Sequence, residues 1–173
     1  TIVVAARNAD KSAAAVKELA GLGAKASAIK LDVKDEGQVK AMVADTVEQH
    51  GRLDILINNA GINVRKPPHE INVAEWREVM ETNLTSAFMA SQEAYHVMKK
   101  AGGGKIINIG SMMSIFGASF APVYAASKGG IVQLTKASAV AWARDNIQVN
   151  AVLPGWIDTE LTQRARAEVS GLN

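Results

Sequence analysis

The 173 residues include no cysteine. Disulfides, cysteine-ligated zinc and a thiol nucleophile are therefore excluded. Aromatic residues make up only 5%, so the core has to be built from Ala, Val, Ile and Leu. No apolar run approaches the ~20 residues that a membrane span needs, and no basic-then-apolar signal pattern is visible at the start. An excess of one charge is missing too. Nineteen Lys and Arg against 17 Asp and Glu leave +2, too small and too evenly spread to point to nucleic acid. What is there, 48% hydrophobic and 21% charged residues, is a globular balance and not a disordered one. The expectation is a soluble cytoplasmic protein, and the length suits one domain.

Residues 2–6, Ile-Val-Val-Ala-Ala, read as an apolar strand with no lead-in. A natural chain rarely opens mid-strand, so the sequence is expected to be a fragment. Asn8 or Asp10 is placed to cap a helix running to about Leu22, stopped by Gly21 and Gly23. Residues 25–33 read as a second strand. Asp35 with Gln38 has the spacing of a capping box, opening a helix that ends near Gly51. A third strand is expected over 53–57, stopped by Asn58-Asn59-Ala60-Gly61. A loop with Pro67 and Pro68 follows. Asn72 and Glu75 again have capping-box spacing, and one long helical region is expected from there to Lys100. Gly102-Gly103-Gly104 ends it. A strand over 105–109 and a loop over 110–121 come next. A helix then opens near Pro122, a residue tolerated in a first turn, and runs to about Arg144. The last strand is 147–152, broken by Pro154-Gly155, and a final polar helix is expected from about Asp158.

Strand and helix alternate throughout, with apolar strands and long crossovers, which implies a parallel sheet covered on both faces. Ligands in such sheets bind beyond the carboxyl ends of the strands. Arg7, Asp32, Asn58 to Gly61, Ser111 and Pro154-Gly155 all stand at such ends.

Tyr124 and Lys128 lie four apart on an expected helix and so share a face. A tyrosine hydroxyl, with a pKa of ~10, is a poor proton shuttle near neutrality. A nearby ammonium draws it down toward the useful range. The spacing does not identify the pair, because Tyr95 has Lys99 at the same distance. Context favours Tyr124, which follows Ser111 by 13 residues and has Ala125, Ala126 and Ser127 beside it. Gly129 and Gly130 then interrupt the helix and suggest a close approach. The competing reading of Tyr124 is a half-buried core tyrosine with a snorkelling lysine. On spacing alone both stay open.

Asn58-Asn59-Ala60-Gly61, Asn83, Ser111, Tyr124-x-x-x-Lys128 and Pro154-Gly155 stand in the order and spacing of the short-chain dehydrogenases/reductases. The chain resembles that family from Thr1 to about Thr162. The resemblance implies an α/β, Rossmann-type doubly wound parallel sheet with helices on both faces. It implies an NAD(P)-dependent oxidoreductase acting on a CH–OH group, in a single NAD(P)-binding domain over residues 1–173. It assigns Tyr124 as general acid/base. Lys128 would hold the nicotinamide ribose and lower the tyrosine pKa. Ser111 would bond the substrate oxygen, and Asn83 would position a water that relays protons to Lys128. Asn59, Ala60 and Gly61 would brace the strand beside the adenine-side ribose. Asp32 would bond the adenine amino group, with backbone contacts from Val33. Pro154, Gly155, Ile157 and Thr159 match positions around the carboxamide and a phosphate.

The chain departs from the family in one respect. No G-x-x-x-G-x-G phosphate loop occurs, and Gly102-Gly103-Gly104 precedes a strand and not a helix. The domain is therefore expected to be incomplete and truncated at both ends. At the end of the first strand, where NAD enzymes carry an acid, stand Ala6 and Arg7. An arginine suits a 2′-phosphate, so NADP(H) is favoured, with NAD(H) possible. The loop over 61–67, Gly-Ile-Asn-Val-Arg-Lys-Pro, is similar to that of the family's sugar and sugar-acid dehydrogenases, among them gluconate, deoxygluconate and glucose dehydrogenases. Arg65 could pair with a substrate carboxylate, or be a solvated surface charge. Met112, Met113, Phe116 and Trp156 are expected to wall the pocket. His50, His69 and His96 have no metal-ligand spacing, so no metal is expected. Reduction of a 3-oxoacyl group on acyl carrier protein and a non-catalytic nucleotide-sensing regulator are the alternatives to a small-molecule dehydrogenase. The small residues of the helix around Tyr124, from Ala125 to Ala141, point to a homodimer or tetramer through an isologous contact.

Overall fold

The computed structural model describes residues 1–159, 162, 163, 166 and 167. The helix expected from about Asp158 lies for the most part outside the described residues. Five parallel strands are present: β1 (Ile2–Ala6), β2 (Ala26–Lys30), β3 (Ile55–Asn58), β4 (Gly104–Ile109) and β5 (Ile147–Val152). Among the described residues, five α-helical elements connect or flank them: α1 (Ala9–Gly21), α2 (Glu36–His50), α3 (Val73–Met80), α4 (Ser86–Lys100) and α5 (Pro122–Trp142). The strands form a β1–β2 pair and a β3–β4–β5 sheet, all in parallel register. Parallel pairing requires crossovers, and each is made by a helix.

Local chemistry explains most boundaries. Asn8 caps α1, its side chain accepting from the Lys11 amide at 2.9 Å. Asn72 and Glu75 form the reciprocal capping box at α3. At α2 only half of the expected box forms. Asp35 accepts from the Gln38 amide at 2.9 Å, while the Gln38 side chain bonds the Asp35 carboxylate and the Asp32 amide. The glutamine thereby ties the cap to the end of β2. The long helix expected from Asn72 to Lys100 is interrupted by a π turn over Glu81–Thr85. Such a turn inserts a residue into the ladder and re-aims what it carries. The second strand is shorter than expected because the chain turns at Asp32, where the Lys34 amide bonds the Asp32 side chain at 3.1 Å.

One apolar cluster joins the elements. Leu31 and Val39 meet Leu56, Ala90, Ala94, Met98, Ile106, Ile147 and Val149. Ile147 and Val149 alternate with exposed Gln148 and Asn150, the period of two that a strand imposes. The face of β3 bearing Ile55 and Ile57 is open, at 52% and 57% exposure. No ladder joins β1 to β3, and a groove separates them.

The turn from α4 into β4 is tightly built. Gly103 has φ +143°, and a Cβ there would lie 2.6 Å from the Asn146 carbonyl oxygen. That carbonyl also accepts from the Gly104 amide at 3.2 Å. Gly103→Ala is therefore expected to destabilise the fold by about 1–3 kcal/mol, read as a lower urea midpoint. An unchanged midpoint would show that this junction yields without cost.

Candidate active site

Strands β3, β4 and β5 run the same way, so the loops after them gather at one edge. The floor of that edge is a polar network. Asn58 donates to Asn108 Oδ1 at 2.8 Å and to Ser91 Oγ at 3.0 Å. Asn108 donates to Thr135 Oγ1 at 2.9 Å. The register pairs Asn58 with Asn108 across β3 and β4, so these amides clamp the two strand ends together and to α4 and α5.

Two cavities of about 320 Å³ each open above that floor. Arg7, Asp32, Val33, Asn59, Ala60 and Gly61 line the first, between the β1 and β3 ends. Ser111, Tyr124, Arg65, Met113, Pro154, Gly155, Trp156, Ile157 and Thr159 line the second. Asn83 and Lys128 line neither; they are buried between the two. The residues singled out in the sequence are thus divided between a groove and a pocket, with a polar partition.

The partition has a definite geometry. Asn83 sits in the π turn, where its Oδ1 accepts from the Ile62 amide at 2.8 Å. Its Nδ2 donates to the Ile62 carbonyl at 2.9 Å and to Ser127 Oγ at 3.0 Å. The side chain is thus engaged in holding the loop after β3. Lys128 donates from Nζ to the Ile109 carbonyl at 2.6 Å. A Cβ on Gly61 would lie 3.6 Å from that Nζ and 3.7 Å from Asn83 Oδ1, so the glycine keeps the groove open beside them.

In the pocket the Ser111 side chain stands on the same wall as Tyr124 and favours the ionised form of its hydroxyl. Ser111 caps the short turn Met112–Ser114, accepting from the Met113 amide at 3.2 Å. Burial pushes the Tyr124 hydroxyl above its ordinary range, while Ser111 and the Arg65 charge pull it back. The Lys128 Nζ is 5.7 Å from the Tyr124 ring centre and is bonded to a strand carbonyl. Burial lowers the lysine itself to about 8.

Two expectations are corrected. α5 runs through Gly129 and Gly130 without a break. The close approach is made at Gly130, where a Cβ would lie 2.7 Å from Leu84 of the π turn. Phe116 is 60% exposed and lines neither cavity, whereas Phe120 lines the pocket. Sequence reasoning passed over Ser114 and gave Ser127 and Asn63 no bonding role. A serine three residues after a strand-end serine was the available signal for Ser114. Among the described residues, no three His, Cys, Asp or Glu converge as a metal site would require.

Residues 1–170 match the short chain dehydrogenase family. The chain belongs to that family. It is 41% identical over 169 residues to 2-dehydro-3-deoxy-D-gluconate 5-dehydrogenase of Formosa agariphila, covering 97% of this chain and 64% of the relative. Among solved structures it is similar to a gluconate 5-dehydrogenase from Burkholderia cenocepacia in complex with NADP and tartrate. That match has a TM-score of 0.89 and 35% identity over 97% of this chain and 66% of that one. It is likewise similar to an actinorhodin polyketide ketoreductase variant with NADPH. There the TM-score is 0.93 and the identity 36%, over 97% and 67% of the two chains. The short-chain dehydrogenase chain spans a little under two thirds of the length of the curated relatives it matches.

The depressed Lys128 ammonium bears on stability. The folded chain releases this proton near pH 8, while an unfolded lysine holds it to ~10.4. Between those values the unfolded state binds more protons, so folding becomes more favourable as pH rises through the window. Lys128→Met is expected to raise stability near pH 7 by about 1–3 kcal/mol, and the gain should shrink as pH approaches ~10. Equilibrium urea unfolding at both pH values checks this. A lower midpoint for the variant near neutrality would show that the Ile109 bond outweighs the cost of burying the charge.

Proposed function

We propose that the chain carries the catalytic centre of an NAD(P)-dependent oxidoreductase that interconverts a secondary alcohol and a carbonyl, with a sugar or sugar-acid substrate. The observation that carries this reading is that Ser111 and Tyr124 line one pocket, with the buried Lys128 ammonium behind the tyrosine. In the direction of oxidation, Tyr124 takes the proton of the substrate hydroxyl as the C–H bond breaks. Ser111 donates to the same oxygen and fixes its orientation. Lys128 stands behind Tyr124 as a cation that can share a proton, which a group titrating near pH 8 does readily.

The groove lining suits a dinucleotide, since it offers the Arg7 cation, the Asp32 carboxylate and the side-chain-poor Ala60 and Gly61 along one cleft. When bound, the nicotinamide accepts the hydride. Arg7 would face the 2′-phosphate, and Asp32 and Val33 the adenine. Asn59, Ala60 and Gly61 would flank the adenine-side ribose, and Lys128 the nicotinamide ribose. Pro154, Gly155, Ile157 and Thr159 would flank the carboxamide and a phosphate. Arg7 with no acid at the β1 end supports NADP(H) over NAD(H), and the neighbours solved with NADP and NADPH support the same choice. Arg65 beside Tyr124 supports a carboxylate on the substrate, in keeping with the gluconate and deoxygluconate names among the relatives. The apolar side of the pocket, Met112, Met113, Phe120 and Trp156, supports a second reading, reduction of a 3-oxoacyl thioester, as the ketoreductase neighbour's name suggests. Retention of both Tyr124 and Lys128 argues against a sensing role without turnover.

The full-length protein should oxidise D-gluconate or a deoxygluconate with NADP⁺ in preference to NAD⁺. Tyr124→Phe should keep less than about one hundredth of that turnover while retaining cofactor affinity within about twofold. Arg65→Leu should raise KM for the acid by about tenfold or more and leave KM for a neutral sugar unchanged. Preferential reduction of an acetoacetyl thioester would replace the substrate assignment. Turnover by Tyr124→Phe above a tenth of wild type would remove Tyr124 as the base.

We further propose that the protein self-associates through α5. Ala126, Ala137, Val140 and Ala141 are exposed along it, Val140 at 82%, and small residues let a two-fold related helix approach closely. Light scattering at micromolar concentration should give a dimer or tetramer that Val140→Glu dissociates. A monomeric wild type would sink this arrangement.

A further inference from the structure

Ser114 lines neither cavity, yet its hydroxyl is tied in two directions. Its Oγ accepts from the backbone N–H of Ser111 at 3.2 Å. It donates to the backbone carbonyl of Lys128 at 2.8 Å. The Ser114 amide also donates to the Ser111 carbonyl at 2.9 Å. The turn that presents the Ser111 side chain is therefore closed on itself and fastened to α5, one turn beyond Tyr124. The Lys128 carbonyl can serve this bond together with the helix ladder, because a carbonyl oxygen has two lone pairs. Gly129 lies against the same turn, where a Cβ would sit in ordinary contact with the Ser114 carbonyl oxygen at 3.8 Å. On the other side of the same junction, Lys128 Nζ holds the Ile109 carbonyl. Lys128 is thus bonded twice, from its side chain to the β4 end and at its carbonyl to the turn after it, in addition to the Asn108–Thr135 bond between β4 and α5. Only the bond at the Lys128 carbonyl lies next to Ser111.

We propose that Ser114 is a positioning residue: its hydroxyl fixes the Ser111 turn against α5, so that the Ser111 and Tyr124 hydroxyls converge on one substrate oxygen. The inference rests on the reading of those two hydroxyls as the reacting pair. Removing the Ser114 hydroxyl frees the turn to drift. Displacements of about 1 Å at a reacting centre cost roughly 100-fold in rate. The groups facing Tyr124, namely Ser111, Arg65 and the more distant Lys128, keep their identities, and only the influence of Ser111 is weakened. That influence lowers the tyrosine, so its loss moves the Tyr124 titration to higher pH.

The test uses the full-length protein, NADP⁺ and D-gluconate, together with tyrosinate difference absorbance against pH, from which the Tyr124→Phe titration is subtracted. Ser114→Ala is expected to lower kcat about 10- to 100-fold, to leave KM for NADP⁺ within about twofold, and to move the Tyr124 titration upward. Ser114→Thr, which keeps the hydroxyl, is expected to restore kcat to within about threefold. If Ser114→Ala does not fold, Ser114→Cys, nearly isosteric and a weak donor, is read by the same measures. The titration requires no turnover, so it holds whichever substrate is used. A variant with unmoved kcat and unmoved titration, or a threonine variant no better than alanine, overturns the proposal. Failure of the underlying reading looks different: Tyr124→Phe would itself keep turnover, whatever Ser114 does.

Discussion

Lys128 carries its ammonium into the interior and donates it to one backbone acceptor, the Ile109 carbonyl at 2.6 Å. Burying that charge is costly, as its pKa near 8 records. The cost is tolerated because the bond joins the last residue of β4 to the middle of α5. Everything the pocket needs hangs from that joint. Ser111 follows β4 by two residues, and Tyr124 precedes Lys128 by one helical turn. Two elements distant in sequence are thereby held at one height, and both residues line one pocket.

The π turn does the complementary work on the other side. An uninterrupted helix through Glu81–Thr85 would rotate every later side chain by roughly 100° relative to its present place. With the extra residue, Asn83 faces inward and grips both backbone groups of Ile62. This holds the loop after β3 over the groove, and its third bond, to Ser127, ties that loop to α5. Leu84 of the same turn reaches α5 where Gly130 leaves space. The groove and the pocket are consequently separated by side chains that are satisfied and rigid. That is the condition for holding two halves of one ligand in a fixed relation.

The acidity of Tyr124 is set from several sides. A lysine one turn away holds a strand carbonyl with its ammonium, and burial lowers its own pKa. Burial raises the tyrosine, while Ser111 and Arg65, across the pocket, lower it. Arg65 lines the same pocket as Tyr124, so an anion held by its guanidinium would also act on the acidity of the tyrosine.

Much of the fold was legible in the residues. Strand–helix alternation, the caps at Asn8 and at Asn72 with Glu75, and the strand-end placement of Arg7, Asp32, Asn58, Ser111 and Pro154 all follow from short-range chemistry: periodicity, capping and the directionality of parallel strands. The resemblance that assembles Asn83, Ser111, Tyr124 and Lys128 was legible as well, because it rests on order and spacing. What tertiary structure alone decided were the partners. That Lys128 bonds Ile109, that Arg65 faces Tyr124, that the Gln38 side chain reaches Asp32, that Phe120 replaces Phe116 in the wall, and that a π turn divides the long helix are contacts between segments far apart in the chain or choices among nearly equal local conformations. No local propensity encodes them, since each gains its free energy only when the sheet has brought its partner within hydrogen-bonding or van der Waals reach.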